Sequence, residues 1–429
     1  MFDQNPHPIP SLKRWKVLLA GILANLCQGA AYASSVFAKP MMTHLGCVKI
    51  GTDGMMAPDM TKWAIAFSIN LTCLPVGMLI SGKLSHRRGP RMMVAVGGVL
   101  FGLGMFLAGF STSFLMFVLT FGVLMGLGSG GAYGAIVSTS VKWFPDSRGL
   151  ASGMSVGALG FGTAIIAPAA VWLMSPDVAS GVPVLFAFRV LGVAFLAVIS
   201  VASMVITDPP PGYTPSGFTA RPDASVSVID FRWTEMVARR KFWLLYVTYT
   251  CGTFSGLMII SQASPIAQDM TRLSKEVAAT IPAAIGLANA FGRMLWGLVS
   301  DWVGRLQAIM LMFVITAVAM FTLPQTVGER TTLLVASVFI GLCYGGYLGI
   351  FPSLCADSFG PRHLAVNYAI LFSAFSVAAI AGPQVGAKIK AMTGSYDNAF
   401  IIAGIVSATG LVAALVTHFS INPRSASAK

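Results

Sequence analysis

An arginine and an asparagine, one helical turn apart in an otherwise apolar segment, are the residues of this chain best placed to do chemistry. Asn289 and Arg293 lie in the run ANAFGRMLWGLVSDWVGR, from Ala288 to Arg305. A guanidinium presents paired N–H donors that match the two oxygens of a carboxylate. Residues four apart share one face of a helix, so the amide of Asn289 can donate to the same ligand. The pair predicts a binding site for a small organic anion.

The composition indicates that this pair lies in a membrane protein. Of the 429 residues, 55% are hydrophobic and only 10% are charged, whereas about 25% of the residues of a soluble protein are charged. Twelve apolar runs are long enough to cross a bilayer as helices, and the eighth, Val277–Val299, contains the pair. We therefore predict an all-α membrane protein with twelve transmembrane helices.

The depth of Arg293 in its span indicates a functional role. It lies about 12 Å along a helix from Asp301, which places it near the bilayer midplane. A charge at that depth costs roughly 2.5–3.5 kcal/mol on insertion scales. No Asp or Glu lies inside the twelve spans, so we expect a bound anion to be the counter-ion. The alternative is a structural arginine that bonds backbone carbonyls or extends to the membrane surface.

Reactive residues elsewhere form no catalytic or ligating pattern. The six cysteines show neither disulfide nor metal spacing, and the five histidines are scattered. We therefore predict no enzymatic activity, no metal and no cofactor. The anion site could belong to a carrier or, alternatively, to a membrane receptor or sensor, and a flux assay would distinguish the two.

The distribution of basic residues predicts the orientation in the membrane. With the N-terminus inside the cell, 18 of the 28 Lys and Arg residues fall in inner loops and tails, and nine fall outside. This asymmetry follows the positive-inside rule. We predict a multi-pass protein of the cytoplasmic membrane with both termini in the cytoplasm. The net charge of +13 is then a property of the loops, and nucleic acid is not an expected partner.

The chain divides into two halves of six spans. Residues 1–207 and 242–429 are predicted six-helix bundles, and the polar residues 208–241 form a cytoplasmic linker. Within the linker, residues 229–243 fit either a short surface helix or a loop. An internal repeat supports the division, because GKLSHRRG at Gly82–Gly89 matches GLVSDWVG at Gly297–Gly304 at an offset of 215. Arg293 has no counterpart, since Met78 occupies the equivalent position.

These glycine-and-charge turns resemble the signature loop of the major facilitator superfamily. The segment KWFPDSRGLASG, from Lys142 to Gly153, resembles the turn after the fourth helix in the oxalate/formate antiporter family, which is related to the monocarboxylate transporters. The resemblance implies the major facilitator fold and transport by alternating access. The first turn departs from the pattern, with His86 where the superfamily usually has Asp.

The resemblance also suggests roles for individual residues. Residues expected to change contacts between conformations are Asp301, Arg305, Arg87, Arg91, Asp146 and Arg148. Residues expected to bind substrate are Arg293, Asn289, Tyr32, Tyr133, Tyr344, Tyr347, Phe372, Ser373 and Phe375. For each tyrosine, helix packing is the alternative to ligand contact.

Two positions bear on the substrate class and on the coupling of transport to protons, namely Phe375 and Asn289. Phe375 stands where oxalate carriers of the family have a second cation, which favours a monocarboxylate such as lactate, pyruvate or formate. Asn289 stands where the related eukaryotic monocarboxylate transporters have an acid. We expect proton coupling, with Asp269, Lys388 and Lys390 as possible relay residues or plain interfacial charges; anion exchange of the oxalate/formate type is the alternative. We expect the carrier to be a monomer in the lipid bilayer.

Overall fold

The structure, a computed structural model, describes residues 11–50, 56–215, 230–271, 280–325 and 330–421. The described chain is helical apart from a two-stranded antiparallel hairpin, β1 (Val48–Ile50) and β2 (Met56–Pro58). The helices up to residue 205 are α1 (Ser11–Gln28), α2 (Ala30–Ala33), α3 (Ser35–His44), α4 (Met60–Ala108), α5 (Phe114–Phe117), a π-helical segment (Val118–Leu124), α6 (Met125–Trp143), α7 (Arg148–Leu173) and α8 (Pro183–Val205).

The later helices begin after residue 230. They are α9 (Trp233–Val237), α10 (Arg240–Thr271), α11 (Thr280–Val303), α12 (Arg305–Thr322), a 3₁₀ turn (Leu323–Gln325), α13 (Arg330–Phe359), α14 (Leu364–Thr393) and α15 (Asp397–Ile421).

Long apolar helices confirm the predicted all-α, multi-pass membrane fold. Within the described residues, eleven helical segments are long and apolar enough to cross a membrane, two of them inside α4. The predicted eighth span corresponds to α11, which is not one of the eleven. It has the length of a span and contains Asn289, Arg293 and Asp301.

The repeated turn has the same backbone conformation in both copies. Gly89, inside α4, has a φ of 75°, and Gly304, between α11 and α12, has a φ of 100°. Side chains other than glycine rarely adopt such values. The offset of 215 predicted from the sequence therefore matches two positions at which a glycine breaks the helix.

The described helices form two compact units that interleave along the chain. The first contains residues 1–146, 158–229 and 364–369, and the second contains residues 147–157, 230–363 and 370–429. The beginning of α7 therefore belongs to the second unit, and the beginning of α14 belongs to the first. Each unit has a buried apolar core of its own. The division into residues 1–207 and 242–429 stays a prediction.

The end of the predicted linker is folded. Residues 233–237 form α9, and α10 begins at Arg240, so the structure has the short helix that the sequence left open. Two hydrogen bonds join this segment to the turn after α13. The main-chain N–H of Phe231 donates to the carbonyl of Phe359 at 3.0 Å, and the N–H of Arg362 donates to Asp230 Oδ1 at 3.0 Å.

Candidate functional site

Arg293 is buried in the second unit and held in one orientation. Its side chain is only 2% exposed. Nε donates to Oδ1 of Asn289 at 3.1 Å, and Nη1 donates to the main-chain oxygen of Val156, in the first part of α7, at 2.9 Å. The spacing of four residues places Asn289 beside Arg293, as the sequence predicted. The carbonyl contact to Val156 is the kind that a structural arginine makes, so Arg293 has a packing role whatever else it binds.

Glycines bring the neighbouring helices against the backbone at Arg293. A methyl group at Gly153 of α7 or at Gly349 of α13 would overlap the carbonyl oxygen of Arg293. The hydroxyl of Ser152 donates to the carbonyl of Gly349 at 2.6 Å, which joins the same two helices. Small residues allow helix backbones to approach closely in membranes. The guanidinium therefore extends from a point where three helical segments are in contact.

The two predicted tyrosines of α13 are buried inside the second unit. Tyr344 is 3% exposed and Tyr347 is 1% exposed. The ring of Tyr344 packs at Gly256 of α10 and that of Tyr347 at Gly252. Tyr347 also lies with its ring centroid 5.0 Å from that of Phe313. Both rings therefore have packing roles within the unit, and substrate contact by either stays a prediction.

An aromatic cluster surrounds the predicted residues of α14. The rings of Phe372 and Phe375 stack at 5.0 Å, and Ser373 Oγ donates to the carbonyl of Ile370 at 2.7 Å. Sequence reasoning missed two further members, Tyr246 and Tyr249 of α10. The Tyr246 hydroxyl lies 3.2 Å from Ser373 Oγ, and the ring of Tyr249 lies 6.3 Å from that of Phe372. Their spacing of three residues at the start of the seventh span was the available signal.

The remaining predicted tyrosines belong to the first unit. Tyr133 is 4% exposed, whereas Tyr32 is 37% exposed. The hydroxyl of Tyr133 lies 3.5 Å from that of Tyr368, at the beginning of α14. Tyr368 was not among the predicted site residues, and its contact with Tyr133 is a finding of the structure.

The first unit also contains a buried polar cluster that the sequence analysis did not select. Asn25 and Gln28 of α1 are fully buried, and Ser129 of α6 is 2% exposed. Gln28 donates to Asn25 at 2.9 Å and accepts from Ser129 at 2.9 Å. Amides inside the first apolar span were the signal, because such groups are buried only when they are hydrogen-bonded.

Asp301, at the end of α11, caps the start of α7. Its two carboxylate oxygens accept the main-chain N–H groups of Gly149, at 3.0 Å, and Leu150, at 2.8 Å. The first N–H groups of a helix have no partner within the helix, and the helix dipole favours an anion beside them. Asp301 thus connects the repeated turn to the segment KWFPDSRGLASG.

A second carboxylate, Asp357, joins two of the predicted arginines. Oδ1 accepts from Arg148 at 2.5 Å, and Oδ2 accepts from Arg305 at 3.0 Å. Arg305 also pairs with Asp301 at 2.6 Å. Sequence reasoning missed Asp357, although its place at the end of the tenth span matches that of Asp301 at the end of the eighth. Asp301, Arg305 and Arg148 are therefore brought together in the second unit.

The other three residues of that predicted set belong to the first unit. Nη1 of Arg14 donates to both carboxylate oxygens of Asp146, at 3.0 Å to Oδ1 and at 2.9 Å to Oδ2. Arg87 and Arg91 are exposed and form no ion pair with a described residue. The first copy of the turn therefore has no counterpart of the Asp301 network among the described residues, in keeping with His86 at the position of the acid.

Two of the predicted coupling residues, Lys388 and Lys390, lie in the last turns of α14. Lys390 donates to the carbonyl of Gly394 at 2.7 Å, beyond the end of α14, and its ammonium lies 5.0 Å from the ring centroid of Tyr396. Lys388 is exposed. The side chain of Asp269 lies outside the described residues. A coupling role for the three stays a prediction.

α11 thus has a buried cation, Arg293, and ion pairs of Arg305 and Arg148 lie at neighbouring helix ends. Sequence comparison establishes the class of the protein, because the profile described as Major Facilitator Superfamily matches residues 21–383 and, in a second match, residues 273–429. The chain belongs to the major facilitator superfamily. It is therefore a secondary transporter and not an enzyme.

Individual relatives agree with this assignment. The chain is 26% identical to the oxalate:formate antiporter of Oxalobacter formigenes, over 92% of this chain and 89% of that protein. It is 25% identical to apicoplast pyruvate carrier 1 of Toxoplasma gondii, over 84% of this chain and 81% of that protein. The crystal structure of the Escherichia coli fucose:proton symporter FucP has the same fold, with a TM-score of 0.72 and 12% identity over 95% of this chain and 98% of that chain.

Proposed function

We propose that this transporter carries small monocarboxylates, of the size of lactate, pyruvate or formate, across the cytoplasmic membrane, and that Arg293 binds the carboxylate. The observation that carries the proposal is the burial of the Arg293 guanidinium in a membrane-spanning helix, with its orientation determined by Asn289 and Val156. Ionisable residues inside membranes mark substrate or ion pathways.

The chemistry of the guanidinium favours a carboxylate. Its planar array of five N–H donors includes pairs that match two oxygens of one anion. Because two protein acceptors already hold the group, little side-chain freedom is lost when a ligand binds. Both relatives described above are carriers of carboxylic acids by name, which supports the same substrate class.

The proposed preference for monocarboxylate substrates over dicarboxylates such as oxalate rests on Phe375. This residue is 4% exposed and stacks on Phe372, at the position where the family resemblance implies a second cation in oxalate carriers. An apolar ring there offers no donor to a second carboxylate, and its burial leaves a charge without hydration. Oxalate is therefore expected to bind more weakly than lactate or pyruvate.

The substrate range can be tested in proteoliposomes. Purified carrier should take up labelled lactate or pyruvate, with competition by short monocarboxylates exceeding competition by oxalate. Arg293→Gln should abolish uptake. Arg189→Gln is the matched control, because Arg189 also lies in a membrane-spanning helix and donates to a backbone carbonyl, that of Leu185 at 3.2 Å. Normal uptake by Arg293→Gln would refute the site, and oxalate uptake above that of lactate would refute the preference.

Proton coupling is the second part of the proposal. Asn289 cannot carry a proton, so either the carboxylic acid substrate itself or the residues Asp269, Lys388 and Lys390 must do so. An inward pH gradient should then drive accumulation of substrate. An unresponsive carrier that requires a second anion on the opposite side would instead be an exchanger of the oxalate/formate type. Binding without any flux would indicate a carboxylate sensor.

The Asp301 network is proposed to change contacts during transport. Asp301, Arg305 and Arg148 are joined by hydrogen bonds and ion pairs at helix ends, and such contacts can form in one conformation and break in another. The placement of both termini in the cytoplasm and a monomeric carrier belong to the same proposal.

A further inference from the structure

A polar pocket of about 220 Å³ lies in the second unit, away from Arg293. It is formed where α10 begins, α11 gives way to α12, and α13 and α15 end. Its lining residues are Lys241, Arg305, Leu306, Gln307, Leu354, Asp357, Ser358 and His418. None of the proposed transport steps uses Lys241, Gln307, Ser358 or His418.

The charges around this pocket do not balance. Arg148, Arg305 and Lys241 are the cations of the cluster, and Asp301 and Asp357 are its carboxylates. Each oxygen of Asp357 accepts from one arginine, Oδ1 from Arg148 and Oδ2 from Arg305, and the carboxylate also interacts electrostatically with Lys241. The cluster therefore has three cations and two carboxylates, which is one positive charge in excess.

Lys241 is the source of that excess. It is half-buried, and among the described residues no carboxylate forms an ion pair with it. Its ammonium lies 5.8 Å from the ring centroid of Phe359. A partly buried ammonium is stabilised when an anion supplies the missing charge.

We propose that this pocket binds a phosphate group. The ammonium of Lys241, the guanidinium of Arg305, the amide of Gln307 and the hydroxyl of Ser358 are donor groups that come from three different helices. A set of donors of this kind suits a tetrahedral anion with four oxygens. Leu306 and Leu354 add an apolar wall. The phosphate has two possible sources, free inorganic phosphate and the headgroup of an anionic phospholipid.

Bound phosphate would also stabilise the Asp301 network, which is the set of contacts among Asp301, Arg305, Arg148 and Asp357. Arg305 lines the pocket and at the same time binds Asp301 and Asp357. A phosphate at this position holds Arg305 in place and so stabilises the arrangement in which Asp301 caps α7. Its effect on stability does not depend on which substrate the carrier transports.

The test measures thermal unfolding of the full-length purified carrier in detergent. Potassium phosphate, potassium chloride and potassium lactate are compared at equal ionic strength. Phosphate at saturation should raise the unfolding midpoint by about 2–4 °C over chloride, since a ligand that binds only the folded state stabilises it. Lactate should give no comparable shift in the Arg293→Gln variant, which lacks the proposed substrate site but keeps the pocket.

Variants of the pocket decide whether the shift arises there. Lys241→Gln should weaken phosphate binding about tenfold, and Lys241→Arg should retain it. Lys16→Gln is the matched control, because Lys16 is an exposed lysine on α1 of the first unit. Equal shifts in the wild-type protein and in Lys241→Gln would overturn the proposal, as would an equal loss in Lys16→Gln.

The source of the phosphate is decided in lipid nanodiscs. Phosphatidic acid in a phosphatidylcholine bilayer should raise the midpoint of the wild-type protein and not that of Lys241→Gln if the occupant is a lipid headgroup. A shift with inorganic phosphate alone identifies the free anion. If neither probe shifts the midpoint of the wild-type protein, the pocket is not a phosphate site.

Discussion

Arg293 and Val156 are joined by a hydrogen bond of 2.9 Å, from Nη1 of the guanidinium to the main-chain oxygen. The contact joins α11 to the first part of α7, inside the second unit. The Nε contact to Asn289 uses a different edge of the same group. An arginine makes both contacts at once because its donors are spread over a planar fork.

Replacement of Arg293 by lysine tests whether transport requires the planar guanidinium or only its positive charge. Lysine keeps the positive charge but has a single ammonium, which cannot bond Asn289, Val156 and a carboxylate in the same arrangement. We expect kcat/KM for uptake to fall about 100-fold, which corresponds to about 2.7 kcal/mol. Initial uptake rates in proteoliposomes measure this, with the Arg189→Lys variant as control. Uptake within twofold of the wild type would contradict a role for the planar set of guanidinium donors.

Asn289→Asp should create an internal competitor for the substrate. The new carboxylate would lie one turn before Arg293 and pair with it. We expect the KM for monocarboxylates to rise about tenfold, the equivalent of about 1.4 kcal/mol. Asn289→Leu removes the acceptor without adding a charge and serves as the comparison. Equal KM values for the two variants would show that the charge is not the cause.

Gly349→Ala should disturb the packing at Arg293. The added methyl group would overlap the carbonyl oxygen of Arg293, so α13 must move away from α11, at a cost of about 1–3 kcal/mol for overpacking. Gly286→Ala is the control on the same helix as Arg293, because a methyl group there meets no atom within 4 Å. We expect a lower unfolding midpoint and slower uptake only for Gly349→Ala. Equal midpoints for the two variants would exclude the proposed overlap.

Asp301→Asn should weaken the cap of α7. The amide still accepts one N–H group, but the second bond, the charge and the pair with Arg305 are lost, at a cost of about 1–2 kcal/mol. We expect a lower unfolding midpoint together with slower transport. Asp59→Asn is the comparison, since Asp59 caps α4 by accepting from the N–H of Thr61 at 3.0 Å. The Asp59→Asn variant should lose stability without a change in transport. Equal transport rates in the Asp59→Asn and Asp301→Asn variants would argue against a transport role for Asp301.

The long helices could be predicted because the bilayer leaves few alternatives. A span of about 20 apolar residues has to satisfy its backbone hydrogen bonds internally, and a helix does so. The break at Gly304 could also be predicted, because the same glycine-and-charge turn occurs at Gly89 in the first half. The sequence could not decide between a helix and a loop for residues 229–243, because short polar segments have weak local preferences. Contacts with distant residues fix this segment, here those of Phe231 with Phe359 and of Asp230 with Arg362.

The candidate site was predictable only in part. Arg293 and Asn289 were evident from residue type and a spacing of four. Val156 was not, because any residue supplies a main-chain oxygen and its side chain carries no signal. Asp357 was missed for a related reason: it stands at the end of a span, where a charge is ordinary, and its two arginine partners come from distant parts of the chain.

The sequence by itself determined that this protein is a multi-pass membrane protein with a cation in its eighth span, because composition, hydropathy and local spacing are properties of neighbouring residues. That it is a transporter was implied by the resemblance of its turns to those of a known family. Only the tertiary structure decided what that cation touches, which carboxylate joins Arg148 to Arg305, and which lysine is left beside a polar pocket. Those relationships depend on how helices far apart in the chain pack together, and glycine contacts such as those of Gly153 and Gly349 with Arg293 set the distances between them.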